Sequence, residues 1–450
     1  MTRTALLLSL LAACTTDAAD TGAPVDATSY EEAKRLGNDR IATLVARGHI
    51  ELELGVGADD VTVRADARSL LSGALKGLTA LDFDAGHHIE LTYLGKGKSG
   101  AFDADAHLPP DDPDTEPETK VEGMDAFNPV TGNEFRLVFS ADLIEATGRA
   151  DAAAGLDLGT PVDRLDASSD AKVTAPPSDT AYSWSNDDDD RTRLYDVNDP
   201  VTNSVHRRIA HFSNGCTGTL VGPRHVVTAG HCLYDRDTDT WSNQFWVRPG
   251  RNGTSEANEV RINSNAIPRG EVLWYFTPSQ YRNADATWGF DYGILVLPVR
   301  LGDAVGWMGR VTYTASSLQN AYIYRRGYPS CNAFTSAGTP RIDEPSPCTW
   351  NHLYGNTADC EVGEYQSQDS DGWSRVVHHS CDASGGDSGS PLYVYHNGSA
   401  AVAAVHFASR CETTANGTAC NGSWEDRPLA ALRLTPQYRD LIGTFRGMYP

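Results

Sequence analysis

"CTGTLVGPRHVVTAGHC", Cys216 to Cys232, is two short runs rich in Val, Leu and Thr, broken at Gly222-Pro223 and closed at each end by a cysteine. Runs of that length and composition around a Gly-Pro break read as a β-hairpin. A bridge between Cys216 and Cys232 would pin the loop that carries His231. The same texture continues outward from Leu194: "RRIAHF", "GILVLPV" and "AAVAAVHF" are short apolar runs separated by Gly, Asn, Pro and Ser. Many short strands with turn signals and little helical periodicity indicate an all-β sandwich or barrel. Only the tail, "TPQYRDLIGTFRGM", has the spacing of a helix.

The 450 residues suffice for two or three domains. Charge divides the chain: about 36 of its 60 Asp and Glu, but about 14 of its 37 Lys and Arg, fall in residues 15–190. The rest is nearly neutral, and no basic face of the kind nucleic acid requires is evident, so nucleic acid is excluded as a partner. In the acidic part, "HIELELGV", "DVTVRA" and "HHIELTYLG" alternate like strands. Ser29–Arg47 and "ARSLLSGALKGL" have helical spacing, which makes a small α+β unit over about 28–95. "DADAHLPPDDPDTEPETK" reads as an exposed acidic loop, and "EFRLVFSADLIEATG" as a strand and a turn.

The chain opens "MTRTALLLSLLAACTT": Arg3, then an apolar run too short to cross a bilayer as a helix. The run ends in "LAAC", which resembles a bacterial lipobox and implies lipidation of Cys14, with residues 15–27 as a tether. The other reading is a secretory signal cleaved near Ala13; either exports the protein. Eight further cysteines, at 216, 232, 331, 348, 360, 381, 411 and 420, are an even set, as disulfides in an exported protein require. Cys411–Cys420 and Cys331–Cys348 suggest local loops. No CxxC pair is present, which argues against a zinc cluster, and no metal or organic cofactor is implied. Asp187–Asp190 reads as a solvated charge run.

A serine hydroxyl becomes a nucleophile only with an imidazole to take its proton, a carboxylate to orient the imidazole, and N–H donors for the oxyanion. Three motifs supply them. His231 ends the hairpin. Asp291 in "GFDYGILVL" precedes an apolar strand, with Asp285 in "NADATW" as the competing carboxylate. Ser388 sits in "CDASGGDSGSP", flanked by glycines that let the backbone turn sharply, so that the N–H groups of Gly386 and Ser388 can converge as an oxyanion hole.

"CTGTL", "TAGHC", "FDYGILVL" and "GGDSGSP", in the order His, Asp, Ser, resemble the chymotrypsin-like serine peptidases. That implies two antiparallel six-stranded-type β-barrels with a C-terminal helix and a His231–Asp291–Ser388 triad in the cleft between them. "DDRTRL" (Asp189–Leu194), "PGRNGTS", "VGWMGRVTYTASSL" and "RGYP" are similar to the bacterial glutamyl endopeptidase branch. The resemblance is good from Asp187 to Leu297, fair to Pro329, poor over 330–375 and good again at Ser388. In that branch a propeptide is removed just upstream of "DDRTR". This implies cleavage near Thr180–Asp187, leaving residues 187–450 as the peptidase domain. Residues 28–180 would then be a propeptide that assists folding or blocks the cleft, or else a permanent accessory region.

Two residues disagree about specificity. Asp382, six before the nucleophile, has the spacing of the trypsin-like aspartate that pairs with substrate Arg or Lys. His406 in "AVHFAS" stands where the glutamyl branch binds a substrate carboxylate. Asp387 also departs from that branch, which has Asn or Gln there. Trypsin-like enzymes have Asp and pair it with a new chain end, but the activation sequence that frees such an end is missing, and nothing in the sequence names a partner for Asp387. The expectation is an exported serine endopeptidase acting on proteins or peptides after Glu or Asp. Its rivals are the same mechanism after Arg or Lys, and a non-catalytic binding lipoprotein on a peptidase fold.

Overall fold

The register of the His231 hairpin fixes the first barrel. Thr217–Leu220 and His225–Thr228 pair antiparallel, and His225–Thr228 pairs on its other edge with Gly293–Val296, the strand after Asp291. The computed structural model describes residues 50–54, 61–66, 88–101, 121–130, 132–153, 191–194 and most of 205–449. Cys14, the 15–27 tether, the helices expected over 29–47 and 67–78, the 103–120 loop, the cleavage segment, Asp285 and the Cys411–Cys420 pair lie outside the described residues.

Two large sheets hold the fold. In the first, the barrel strands run in the order Trp274–Pro278, Gly293–Val296, His225–Thr228, Thr217–Leu220, Ile209–Phe212, Trp246–Pro249 and Val260–Arg261. The second runs Val362–Gln368, Ser374–His379, Leu429–Arg433, Ser399–Ser409, Pro391–His396, Tyr324–Gly327, Tyr354–Asn356 and Arg191–Arg193. Pairing is antiparallel along both orders, and the all-β expectation holds. Strands such as Ile209–Phe212, His225–Thr228 and Gly293–Val296 are buried at every position. Covered on both faces, they read as continuous apolar runs rather than alternating ones.

Part of that cover is the C-terminal helix, Pro436–Met448. Thr435 caps it by accepting from the N–H of Tyr438 at 3.4 Å, and Pro436 occupies the first turn, where its missing N–H costs nothing. Tyr438, Leu441, Ile442, Phe445 and Met448 form its buried stripe. The helix follows the Leu429–Arg433 strand of the second sheet yet docks on the first. Phe445 lies 4.2 Å from Phe276 and Tyr438 4.4 Å from Tyr292, ring to ring, and Arg446 donates to the Val221 carbonyl at 3.1 Å. It thereby clamps the two sheets together.

The acidic N-terminal part is built into the first sheet. Its strands Ile50–Leu54, Val61–Asp66, His88–Lys96, Asn133–Phe139 and Met124–Phe127 continue the order onto the free edge of Trp274–Pro278. Phe127 stacks on Trp241 at 5.4 Å and 9°, and Arg282 reaches the buried carboxylates of Asp125 (3.1 Å) and Glu134. The turn expected after Phe139 is instead a helix, Ala141–Ala153. Ser140 starts it, accepting from the Leu143 and Ile144 N–H groups, and the helix packs on the C-terminal helix, with Thr147 Oγ1 2.7 Å from Thr444 Oγ1. A thirteen-residue amphipathic segment is marginal alone; here a partner helix stabilises it.

The strands Met124–Phe127 and Asn133–Phe139 and the helix after them thus share one core with the barrel. Phe127→Ala is expected to lower the stability of the peptidase region itself by about 3–4 kcal/mol in chemical denaturation. An unchanged unfolding midpoint would mean that the two parts are independent.

Candidate active site

His231 is carried on the short 3₁₀ turn Gly230–Cys232 at the end of the hairpin, and Asp291 follows another such turn, Trp288–Phe290. Both side chains are buried, and two contacts join them. His231 Nδ1 lies 2.7 Å from Asp291 Oδ2, and the His231 backbone N–H donates to Asp291 Oδ1 at 2.8 Å. A buried carboxylate needs donors, and this one has a ring nitrogen and a backbone N–H. The Asp291 turn is steadied from the other side of the molecule: Tyr438 of the C-terminal helix donates to the Gly289 carbonyl at 2.8 Å.

Ser388, half-buried, lies on the turn between the Ser374–His379 and Pro391–His396 strands of the second sheet. The residue that joins this turn to the first barrel is Thr217. Its N–H donates to the Ser388 carbonyl at 2.8 Å, its hydroxyl donates to the Gly386 carbonyl at 2.8 Å, and the same hydroxyl accepts from the Tyr328 N–H at 3.0 Å. Cys216 precedes Thr217 and is bridged to Cys232, the neighbour of His231 (S–S 2.04 Å). Cys232 Sγ lies 3.7 Å from the Ser388 carbonyl oxygen. One disulfide therefore ties the backbones of His231 and Ser388 to a common point. The ring of His231 and both sulfurs lie within 4.8 Å of one another, but the bridge consumes the thiolates a metal would need.

The turn depends on two left-handed glycines, Gly386 (φ 90°) and Gly389 (φ 85°). A Cβ at Gly389 would run into the Thr217 carbonyl and the Thr228 hydroxyl, so the turn lies on the barrel as closely as backbone allows. Asp387, between Gly386 and Ser388, is completely buried, and its two cationic partners lie far away in sequence. Arg191 Nη1 lies 2.5 Å from Oδ2, Arg325 Nη2 reaches Oδ1, and the Ser384 N–H donates to Oδ2 at 3.0 Å.

The two specificity candidates sit in different surroundings. Asp382 is half-buried; its carboxylate accepts from Asn356 Nδ2 at 3.3 Å and its carbonyl accepts from Arg325 Nη1 at 2.6 Å. His406 is buried, and its Nδ1 lies 3.0 Å from Nε2 of His379, another buried imidazole. The Cys381 N–H donates to His379 Nδ1 at 3.2 Å. That bond places the His379 proton on Nε2, which then donates to His406 Nδ1, so His406 carries its own proton on Nε2. Burial, then Arg325, holds the His379 pKa well below the usual histidine value. For His406 the causes are burial, then His379, then Arg325. Both rings are neutral at neutral pH.

Sequence reasoning missed Thr217, Arg191, Arg325 and His379, and also the Cys360–Cys381 bridge, which anchors the start of the "CDASGG" segment. Thr217 lies inside a motif already singled out. The others act across distances in sequence that no local pattern encodes. Cys331–Cys348 forms the second of the three bridges among the described residues.

With this geometry in hand, comparison with known proteins decides the family. The family model described as Trypsin matches residues 195–421. The chain belongs to the trypsin family. It is 33% identical over 213 residues to a protein named glutamyl endopeptidase from Bacillus licheniformis, covering 46% of this chain and 53% of that one. It is 29% identical over 202 residues to one named extracellular metalloprotease from Bacillus subtilis, covering 42% and 60%. Against human serine protease 23 the identity is 25% over 217 residues. The chain thus spans about half to three-fifths of the length of these relatives. Among solved structures, a Glu endopeptidase in complex with MPD aligns with 58% of this chain and 97% of its own, at 20% identity and TM-score 0.40. As a trypsin-family chain, the protein carries its candidate histidine, aspartate and serine inside the matched region.

Two outcomes are expected. Thr217→Val keeps the volume but removes the hydroxyl that binds Gly386 and Tyr328, and should cost about 1–3 kcal/mol in denaturant unfolding. Buried His225, His379 and His406 have pKa values lowered well below 6.5, and that of His211 is lowered to about 3, each chiefly by burial. Above pH 6.5 these rings are neutral in both states. Below it the unfolded chain takes up protons that the folded chain refuses, so stability falls as pH drops from 6.5 towards 3, by up to about 1.4 kcal/mol per pH unit per ring. A thermal midpoint that stays flat from pH 7 to 4.5 would contradict this.

Proposed function

We propose that the protein is an exported serine endopeptidase in which His231, Asp291 and Ser388 are the triad. The doubly anchored His231–Asp291 pair carries this reading. With Asp291 Oδ2 accepting from Nδ1–H, the lone pair of His231 is confined to Nε2, the tautomer a general base requires. The Ser388 hydroxyl then attacks the peptide carbonyl as its proton passes to Nε2. The Gly386 and Ser388 N–H groups receive the developing oxyanion, and the imidazolium returns the proton to the leaving amine. Water enters by the reverse path and frees the acyl group from Ser388. Asp291 stays ionised and stabilises the imidazolium. This mechanism calls on no metal or cofactor.

Cleavage after Glu or Asp is the specificity we propose, with His406 as the carboxylate's donor. The proton order along Cys381, His379 and His406 leaves His406 with an Nε2–H to give. Arg325 and Arg191 both add positive potential at that ring, which favours a substrate carboxylate. The name of the Bacillus licheniformis relative agrees. Arg or Lys specificity would rest on Asp382, but a buried arginine on its carbonyl places positive charge where a cationic side chain would have to settle. Export is supported by the three disulfides and by the N-terminal apolar run. Lipidation at Cys14 and loss of the N-terminal part near Thr180–Asp187 complete the proposal. Among the described residues no helix is long and apolar enough to cross a membrane.

Matched peptides with Glu, Asp, Arg, Lys or Phe before the reporter group test both levels. Glu is expected to be cleaved fastest, Ser388→Ala to be inactive, and Asp291→Asn to lose about 10³–10⁴-fold in kcat. His406→Val should raise KM for the Glu peptide by about tenfold or more, the loss of one hydrogen bond to a charged group. A preference for Arg or Lys would instead assign the pocket to Asp382.

A further inference from the structure

Asp387 is the residue on which the geometry of the nucleophilic turn converges, and Arg191 is its most distant partner. Arg191 opens the strand Arg191–Arg193, which pairs at the edge of the second sheet with Tyr354–Asn356. Its guanidinium is completely buried. From one nitrogen it reaches Asp387 Oδ2 at 2.5 Å and the Ser384 hydroxyl at 3.1 Å, so it spans both ends of the Ser384–Asp387 turn. Within that turn the Asp387 N–H donates to the Ser384 carbonyl at 3.1 Å, and the Ser384 N–H returns to the Asp387 carboxylate at 3.0 Å. Arg325 holds the other carboxylate oxygen and, through its second nitrogen, the Asp382 carbonyl. Asp387 stands between Gly386 and Ser388, whose N–H groups form the proposed oxyanion hole.

We infer that Arg191 is a positioning residue for the oxyanion turn: together with Arg325 it holds Asp387, and with it the Gly386 and Ser388 N–H groups, in the orientation that receives the oxyanion. A side-chain cation needs no free chain end, which accounts for a buried Asp387 in a chain without an activation sequence. The ammonium that trypsin-like enzymes take from a cut chain is here replaced by a guanidinium that arrives by strand pairing. The Arg191 Nη1 group carries two N–H bonds, enough to serve the Asp387 carboxylate and the Ser384 hydroxyl together.

This inference rests on the serine peptidase reading, and the experiment separates the two. Protein expressed as the full chain and matured by loss of its N-terminal part near Thr180–Asp187 is reacted with a serine-reactive fluorophosphonate well below its thermal midpoint. The rate of Ser388 labelling per folded molecule is followed by intact mass, and kcat and KM are measured on the best peptide. Wild type should be labelled and Ser388→Ala should not; an unlabelled wild type would remove the peptidase reading. Given labelling, Arg191→Met should slow acylation and kcat by about 30–100-fold at nearly constant KM, approaching the loss of one oxyanion donor. Arg191→Lys should recover most of that loss. Asp387→Asn, a gentler isosteric change that still accepts from Ser384, should slow acylation about tenfold or more and serves where Arg191→Met does not fold. A purely structural Arg191 would lower the thermal midpoint while folded molecules reacted within twofold of wild type. That result, or a lysine variant no faster than the methionine one, overturns the inference.

Discussion

The Ser388 turn lies backbone to backbone on the first barrel, and the rest of the site follows from that approach. Ser388 belongs to one sheet and His231 to the other, and no local structure brings them together. Thr217 does so, through its N–H and hydroxyl to the Ser388 and Gly386 carbonyls. The approach requires glycine at 389, because any Cβ would strike Thr217 and Thr228. It also requires Thr217 to be immobile, which the neighbouring Cys216–Cys232 bridge ensures. A loop fixed at its base by a disulfide and at its tip by backbone hydrogen bonds keeps its geometry without rearranging when charge moves, as electrostatic preorganisation demands.

Around this contact the charges are arranged in two separate layers. Asp291 faces the imidazole of His231 from inside the first barrel. Asp387 faces two guanidiniums behind the Ser388 turn. Each carboxylate is buried and each has its own positively charged or N–H partners, so neither competes for the other's. The second layer carries two cations for one carboxylate, and the His379–His406 pair beside it is held neutral by burial and by Arg325. A substrate carboxylate would complete that balance, so the specificity and the turn positioning proposed above would share one physical origin in the buried arginines.

The N-terminal part contributes in another way. By adding strands to the Trp274–Pro278 edge and a helix to the C-terminal helix, it protects an edge that would otherwise be open to pairing with another chain. The acidic composition legible in the sequence does not describe this surface. The carboxylates at the contact, Asp125 and Glu134, are the buried ones, matched to Arg282 and, for Asp125, to Arg136. The excess acid lies elsewhere in that half of the chain.

The sequence by itself determined the all-β class, the hairpin at Cys216–Cys232, the C-terminal helix, and His231, Asp291 and Ser388 as candidates. Each of these depends on residues close together in the chain: β-branched runs between turn residues, a Thr-Pro start before an apolar stripe, a serine between glycines. Only the tertiary structure decided which residues hold those candidates in place. Arg191 meets Asp387 across nearly two hundred positions, and Thr217 meets Ser388 from one sheet to the other. His379 meets His406 between strands that are not neighbours. A charge or a hydroxyl in a sequence has no address until folding brings another group to it, and an arginine read alone looks the same whether it ends up in water or buried against an aspartate. The helix over Ala141–Ala153 fails from sequence for the same reason, since the surface that stabilises it is supplied by residues near the other end of the chain.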